Sequence, residues 1–325
     1  MTAWLLRRVI QALFVMFVMT LLVFFAVNVI GNPADILIPP DADQIERARV
    51  IKELGLDLPL WQQYLQFVKG ALQGNLGQSY VYNEPALRVI LHRLPATLEL
   101  AFCSVILAIL IGIPLGLYAG LRPDGILSKI IMTGSILGFS LPTFWVGLML
   151  IMVFAVQLGW LPSGGRGETG ELFGVQWSFM TRDGLIHLIL PALNLSLFKV
   201  SLVLRLTRAG VLEVMPLDYV KFARAKGLTE LRVIGVHVLK NIMIPVVTVI
   251  GLEFGSVIAF SVVTESIFSW PGMGKLIIDS INVLDRPIIV AYLMMIVVVF
   301  VTINLIVDLV YTALDPRVRL EAQEA

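Results

Sequence analysis

The chain alternates long apolar runs with short polar segments, and this pattern predicts a bundle of membrane-spanning helices. Six runs are long enough to cross a hydrocarbon core as helix, which takes about 20 apolar residues. The third run is over-long and contains Gly134, Gly138 and Pro142, so we expect a kink near Ser140-Leu141-Pro142, or two half-spans. The predicted spans are roughly Val9 to Ile30, Pro95 to Leu121, Ser128 to Leu158, Ile186 to Leu206, Ile242 to Glu265 and Ile288 to Leu314.

A polar segment, residues 32–94, separates the first two spans and contains two amphipathic helical patterns. The first runs from Asp41 to Leu54 and the second from Pro59 to about Gln73, with Trp61 and Tyr64 on its apolar face. Because Trp and Tyr are enriched at membrane interfaces, both helices are predicted to lie at the outer membrane face. They form either a docking cap for an external partner or a passive interfacial belt.

The segment from Asp218 to Pro245, DYVKFARAKGLTELRVIGVHVLKNIMIP, sets charge, glycine and amphipathic helix between two very apolar spans. It predicts a helix-turn-helix in which Gly227 ends the first helix and Pro245 opens the next span. A loop of this kind is suited to bind a soluble partner protein. The first helix mixes Tyr219, Val220, Phe222, Ala223 and Ala225 with Lys221, Arg224 and Lys226, and the second carries Leu231, Val233, Ile234 and Val236.

Composition indicates a polytopic membrane protein, since 58% of the 325 residues are hydrophobic, 14% are charged and the mean hydropathy is +0.89. The net charge of +1 argues against nucleic acid as a partner, because such binding needs a concentrated basic surface. Arg7 and Arg8 precede an apolar stretch too long for a signal peptide, so we expect a retained first helix. Cys103, the only cysteine, excludes an internal disulfide and is expected to be a small buried hydrophobe.

Loop charges predict that both termini lie in the cytoplasm. Lys and Arg are enriched in cytoplasmic loops, and this orientation assigns thirteen of them to the inside and four to the short external loops. Residues 32–94 are left out, because long external segments cross largely regardless of charge. The inside set is Arg7, Arg8, Arg122, Lys129, Arg205, Arg208, Lys221, Arg224, Lys226, Arg232, Lys240, Arg317 and Arg319, and the outside set is Arg166, Arg182, Lys275 and Arg286. The Asp218 to Pro245 segment is therefore cytoplasmic.

Ionisable residues within predicted spans are costly and by default suggest function. Lys199 lies near the middle of span four, Glu253 near the middle of span five, Asp308 in span six and Glu99 near the outer start of span two. They form either a polar substrate path or proton relay, as in a secondary transporter, or a structural Lys199–Glu253 pair.

Small residues recur one helical turn apart, which allows close approach of helix backbones in lipid. The clearest series is Gly112, Gly116 and Gly120, and others are Gly134 and Gly138, and Gly251, Gly255 and Ala259. These series indicate either packing within the bundle or a seam to a second membrane subunit.

Catalytic motifs are nearly absent. The chain lacks H-E-x-x-H, C-x-x-C and the P-loop pattern, so it predicts no metal site and no nucleotide site of its own. Ser140 with His187 is the nearest approach to an intramembrane hydrolase, but Leu141-Pro142 follow the serine, and His187 is predicted at the outer end of its span.

Six stretches together resemble the inner-membrane permeases of ATP-binding cassette (ABC) importers for dipeptides and oligopeptides. The resemblance covers nearly the whole chain and is to the subunit type with the large first external segment. The stretches are LRRVIQ near Leu6, ELGLDLPLWQQYLQFVKGALQGNLGQS from Glu53, RLPATLELA from Arg93, DYVKFARAKGL from Asp218, HVLKNIMIPVVT from His237 and TESIFSWPGMGKL from Thr264.

This resemblance implies an all-α permease of the ABC type I importer architecture, with six transmembrane helices and both termini inside. It implies residues 1–31 as N-terminal tail and first span, 32–94 as external segment, 95–317 as permease core and 318–325 as cytoplasmic tail. Within the core it implies a coupling loop at about 209–242 and external loops at about 159–185 and 266–287. The loop Gly159 to Asp183 is also rich in glycine, which predicts an irregular, mobile segment.

The resemblance also implies an EAA-type coupling element whose short helix sits in a groove on an ATPase. The general pattern has Glu six residues before the glycine, where this chain has Lys221, and the ARAKG variant of peptide permeases fits better. Ala223 and Ala225 would allow close approach to the groove, and Arg224 and Lys226 would reach acidic groups on the partner. The implied coupling residues are Asp218, Tyr219, Ala223, Arg224, Ala225, Lys226, Gly227 and Leu228.

Implied partners are a second homologous permease, two P-loop ATPase subunits that bind ATP and Mg, an external solute-binding protein, and membrane lipid. Alternating access would move peptides, although relatives of this type also handle glutathione and nickel complexes. The turn containing Trp270, Pro271 and Gly272 would form an external gate, or else a rigid interfacial turn anchored by Trp270.

Overall fold

The computed structural model describes residues 2–29, 43–53 and 57–314, and helices dominate them. In chain order the helices are α1 (Thr2–Val29), α2 (Gln44–Glu53), α3 (Leu60–Leu72), α4 (Ala86–Leu121), α5 (Ile126–Ser140), α6 (Thr143–Leu150), α7 (Arg182–Val214), α8 (Asp218–Ala225), α9 (Glu230–Arg232), α10 (Leu239–Ile267), α11 (Met273–Asn282) and α12 (Arg286–Leu314). The predicted tail 318–325 lies outside the described residues.

Among the described residues, five helices are long and apolar enough to cross a membrane, and a bent pair gives a sixth candidate when it is counted as one span. The pair is Ile126–Ser140 with Thr143–Gln157, bent by 108°. The predicted break near Ser140-Leu141-Pro142 is therefore confirmed. Its cause is local, because Leu141 is extended (φ −80°, ψ 136°), as the residue before a proline prefers. Counting the pair as one crossing gives six, which agrees with termini on the same side.

Prolines lie inside the long helices without ending them. The predicted start of span two, Pro95, is inside α4, which begins at Ala86. The prediction that Pro245 opens a span is wrong, because a continuous helical stretch runs from Glu230 to Ile267 and contains it. Neighbouring helices and local widening can satisfy the freed carbonyls, and a π-helical turn at Val233–Val238 lies within this stretch.

Contacts divide the chain into two compact units. The first runs to His92 and includes Ile277–Thr302. In it α3 packs on α1: Tyr64 and Thr20 share a hydroxyl–hydroxyl hydrogen bond of 2.8 Å, and Phe24 contacts the Tyr64 ring edge-on with centroids 5.5 Å apart. Both helices predicted in the external segment are present as α2 and α3, although residues 32–42 and 54–56 of that segment lie outside the described residues.

The second unit, Arg93–Leu276 with the chain from Ile303, contains the series Gly112, Gly116 and Gly120. A Cβ added at Gly116 would lie 2.5 Å from the carbonyl oxygen of Leu204, and one at Gly120 would lie 2.5 Å from the Cβ of Val211. At Gly112 the nearest atoms, at 2.9 Å, belong to Val203. The series therefore packs α4 against α7 within this chain, which is the first of the two predicted alternatives.

The external loop predicted to be irregular contains a β-hairpin. Strands β1 (Gly170–Leu172) and β2 (Val175–Trp177) pair antiparallel, with Leu172 opposite Val175. The two turn residues, Phe173 and Gly174, both have positive φ (55° and 75°), as in the turns that match the twist of a hairpin. The expectation of an irregular loop was therefore wrong over this stretch.

Candidate coupling segment and buried polar centres

The segment between α7 and α10 is held to the chain by a buried apolar underside. Val220 and Ala223 of α8 and Val233 of the π-helical turn are buried and pack in one cluster with Val211 of α7 and Ile242 of α10. The predicted helix-turn-helix is thus confirmed as a structure fixed on two long helices. Ala223, however, was expected to face a partner's groove and is instead buried in the chain's own core. A displacement of α8 would therefore be transmitted directly to α7 and α10.

Gly227 forms the turn because its backbone has φ of +77°, a conformation that side chains disfavour. Its N–H donates to the Arg224 carbonyl at 2.9 Å, and the Leu228 N–H donates to the Ala223 carbonyl at 3.4 Å, which closes the end of α8. Across the turn, Arg224 donates two hydrogen bonds to the Glu230 carboxylate, at 2.8 and 3.2 Å. This two-bond geometry fixes the angle between the two helices.

The Arg224–Glu230 pair gives the Arg224 guanidinium a partner within the chain, and its predicted contact with acidic groups on a partner stays a prediction. We expect Arg224→Glu to lower transport at least about tenfold, because two carboxylates would then face each other across the turn. The exchange of both charges, Arg224→Glu with Glu230→Arg, should recover most of the activity in an uptake assay. An exchange variant as defective as the single variant would instead assign Arg224 to direct partner contact.

The outward face of this segment carries two large apolar side chains. Phe222 is 61% exposed and Leu231 is 87% exposed. The Lys226 ammonium lies 4.6 Å from the centroid of the Phe222 ring, and Lys221 pairs with Asp218 at 3.0 Å. An aromatic anchor with a charged rim is typical of a docking surface. The sequence pattern contained both residues but not their exposure, which follows from their position opposite the buried underside.

The remaining predicted coupling residues are distributed around these anchors. Tyr219 is partly exposed, and its hydroxyl accepts a hydrogen bond from the Asn241 side chain at 2.8 Å. Ala225 is exposed beside the turn, and Leu228 packs partly buried on the apolar cluster. The role of these residues in coupling stays a prediction.

A fully buried carboxylate lies near the end of α10. Glu265 accepts hydrogen bonds from the hydroxyls of Thr97 at 2.7 Å and Ser261 at 3.0 Å, and from the N–H of Lys275 at 3.0 Å. A Cβ at Gly272 would lie 2.4 Å from this carboxylate, so glycine lets the backbone close over it. Sequence reasoning missed Glu265 as a site residue, and the glycines at 272 and 274 were the available signal.

The turn after α10 is buried as well. The Trp270 indole N–H donates to the Ala96 carbonyl at 2.9 Å, and the Met273 N–H donates to the Thr97 hydroxyl at 2.8 Å. Trp270 is fully buried, so it anchors a rigid turn from inside the protein and not at a membrane interface. The role of Trp270, Pro271 and Gly272 in an external gate stays a prediction.

Glu99 of α4 holds the glycine-rich loop, residues 159–183, by several hydrogen bonds. This buried carboxylate accepts a 2.8 Å hydrogen bond from Arg166, and the backbone N–H groups of Ser178 and Phe179 donate to its other oxygen at 2.6 and 3.0 Å. The Arg166 guanidinium also lies 5.8 Å from the centroid of the Trp270 ring. The predicted spans contained Glu99 but gave no indication of these partners.

Lys199 and Glu253 form the predicted ion pair between α7 and α10. The Lys199 ammonium contacts the Glu253 carboxylate and donates to the Ser256 hydroxyl at 2.9 Å, and that hydroxyl donates to the same carboxylate at 2.8 Å. The fourth predicted charge, Asp308, belongs to α12, but its side chain lies outside the described residues.

The candidate hydrolase pair receives no support from the geometry. The Ser140 hydroxyl donates to the Ile136 carbonyl of its own helix at 2.9 Å, and a His187 ring nitrogen contacts the Asp183 carbonyl at 2.9 Å. No hydrogen bond joins the serine to the histidine within the described chain. Among the described residues there is also no group of three or more His, Cys, Asp or Glu side chains arranged to hold a metal ion.

The described residues form a multi-pass helical bundle, with an anchored helix pair that exposes apolar side chains between two spans. A chain of the MetNI methionine ABC transporter, in an inward-facing conformation, has the same fold with a TM-score of 0.57 and 18% identity, covering 71% of this chain and 99% of that one. The fold is therefore that of ABC type I importer permeases.

The chain belongs to the family of binding-protein-dependent transport system inner membrane components, which it matches over residues 112–320. Residues 1–101 match the N-terminal membrane component of the same transport systems. It is thus a permease subunit of ABC importers and a multi-pass protein of the cytoplasmic membrane.

Curated relatives cover almost the whole chain. The di/tripeptide permease DppB of Pseudomonas aeruginosa is 39% identical over 93% of this chain and 94% of that protein. The oligopeptide permease AppB of Bacillus subtilis is 38% identical over 98% and 99%, respectively. The glutathione permease GsiC of Escherichia coli K12 is 36% identical over the same shares of the two chains.

Proposed function

We propose that this chain forms half of the membrane path of an ATP-driven peptide importer. A solute-binding protein delivers di- or oligopeptides to the outer face, and alternating access passes them to the cytoplasm. ATP and Mg are bound by two partner ATPase subunits, and a second homologous permease completes the path. The observation that carries the substrate class is the identity of up to 39% with peptide permeases over nearly the full length. Glutathione or nickel complexes are the alternative cargo.

The coupling role rests on the exposed anchors of the Asp218 to Pro245 segment. Phe222 and Leu231 are exposed on a segment whose opposite side is buried against α7 and α10. A partner that binds these two side chains would therefore move α7 and α10 together with the segment. Their apolar surface in a cytoplasmic loop would be unfavourable if it stayed in water. The flanking Lys221 and Lys226 add charge that an acidic rim on an ATPase would complement.

We expect Phe222→Glu to abolish co-purification of the ATPase subunits and to lower ATP-dependent peptide uptake at least about thirtyfold, because hot-spot truncations at interfaces cost about 2 kcal/mol or more. Phe173→Glu is the matched control, since Phe173 is 95% exposed in the external hairpin and should retain the ATPases. Pull-down with mass spectrometry and uptake by proteoliposomes of the reconstituted complex measure both effects. Retention of the ATPases by Phe222→Glu would contradict the coupling role.

The buried Lys199–Glu253 pair favours one competing function, a secondary transporter that needs no ATPase. The same proteoliposomes separate the two functions. A coupled importer takes up peptide only with ATP, the ATPases and the binding protein, whereas a secondary transporter containing this chain alone responds to an ion gradient.

A further inference from the structure

The Lys199–Glu253 pair is asymmetric in a way that leaves one acceptor open. One oxygen of Glu253, Oε2, contacts Lys199 and accepts from Ser256, and no side-chain hydrogen bond to Oε1 is found within the described chain. The Glu253 side chain is 35% exposed, and the Lys199 side chain is 11% exposed. Lysine is thus the more enclosed partner, and the carboxylate is the more accessible one.

This open oxygen lies at the middle of a membrane-spanning helix. Glu253 is the fifteenth of the 29 residues of α10, about 20 Å from either helix end at 1.5 Å per residue. Lipid tails offer no hydrogen-bond donor, and an open carboxylate facing them would be strongly disfavoured. Lys199 and Ser256 are the donors that the described chain places on this carboxylate, and the small cavity beside the pair is otherwise lined by apolar residues such as Ala108, Leu202 and Ile250. The surface that Glu253 faces must therefore supply donors.

We propose that Glu253 lines the path of the cargo and offers its free oxygen to N–H donors of the passing peptide, above all the protonated amino terminus. This inference rests on the proposed import function. Lys199 and Ser256 act as positioning residues, since they occupy the other oxygen and hold the carboxylate in one orientation. A charge-assisted bond to an ammonium is favourable, yet it can be broken again by water as the path opens.

Cysteine accessibility tests this placement in the assembled importer, with Cys103→Ser as background. A thiol reacts as thiolate, which forms in water and not in lipid, so a charged, membrane-impermeant methanethiosulfonate should modify Glu253→Cys at least about tenfold faster than Leu252→Cys. Leu252 is the matched control, because it is the preceding residue on the same helix and is 53% exposed. Saturating peptide with its binding protein should slow the reaction at position 253 only. Equal rates at both positions would overturn the placement.

Two further measurements distinguish a failure of this inference from a failure of the proposed function. Ser256→Cys keeps the Lys199–Glu253 contact and should also be modified, so it carries the test if Glu253→Cys does not assemble. ATP-dependent peptide uptake is measured in the Cys103→Ser parent. A parent that imports peptide with unreactive thiols at 253 and 256 overturns this inference alone, whereas a parent that assembles but imports no peptide overturns the proposed function and this inference with it.

Discussion

Gly116→Val should prevent the subunit from reaching a stable folded state. Even a single Cβ at this position would lie 2.5 Å from the Leu204 carbonyl oxygen and 2.8 Å from the Cβ of Thr207, and the first of these is backbone that cannot rotate away. Overpacking usually costs about 1–3 kcal/mol where neighbours can shift, so a loss at or above this range is expected. Yield of monodisperse protein in detergent and its thermal unfolding measure the effect.

Gly134→Val is the control for this substitution. Gly134 also lies within a membrane helix, but a Cβ there would meet nothing within 4 Å. The two variants share the change in helix propensity and in hydrophobicity, so only the contact with α7 differs. If both variants lost stability to the same extent, the close α4–α7 approach would not be what the glycine series provides.

The sequence could predict features whose cause is local. The break at Leu141-Pro142 follows from proline chemistry, and the glycine series indicated a close helix contact. The series could not identify its partner, because the contacts of Gly116 are with residues about 90 positions later. It also could not decide between a contact inside the subunit and one between subunits, which have the same spacing.

The partners of the buried carboxylates could not be predicted from the sequence either, because they too are distant along the chain. Thr97 and Glu265 are 168 positions apart, and Glu99 and Arg166 are 67 apart. No periodicity relates such residues, and the costs that bring them together arise only once burial removes water. The hairpin turn at Phe173-Gly174 was also not predicted, because it places a phenylalanine at positive φ where Asn or Asp is usual, and the surrounding glycines indicated irregular structure.

The coupling segment shows where a correct pattern still assigns the wrong contacts. Amphipathic spacing gave the helix-turn-helix, and resemblance gave its role, but both treated Ala223 and Arg224 as contacts to a partner. Burial reverses the assignment of Ala223, which is 4% exposed, while Arg224 also bonds to Glu230 within the chain. The large apolar side chains that this segment exposes are Phe222 and Leu231, so we expect conformational coupling to run through these anchors on a segment that the Arg224–Glu230 pair and Gly227 hold in one shape.

Glu253→Gln should destabilise the subunit more than Lys199→Met, because it leaves Lys199, the more enclosed of the two charges, without its ionic partner. Breaking a buried ion pair costs about 3–5 kcal/mol, and Lys199 would then have only neutral partners, such as the Ser256 hydroxyl and the Phe198 ring. Lys199→Met leaves Glu253, whose side chain is 35% exposed, so part of that cost is relieved by hydration. The order of the two variants in thermal unfolding in detergent is the measurement, and the reverse order would contradict the asymmetry of the pair.

The joint variant, Lys199→Met with Glu253→Gln, should recover folded yield, because neutral groups of similar size remove the unpaired charge. Recovery of folding need not bring back import. If the pair serves structure alone, the joint variant transports peptide like the parent; if Glu253 also offers its charge to the cargo, it folds and keeps its ATPases but stays at least about tenfold slower, since a neutral amide replaces a charge-assisted bond. Comparing unfolding temperature with uptake in this one variant therefore separates the stabilising role of the pair from its role in the path.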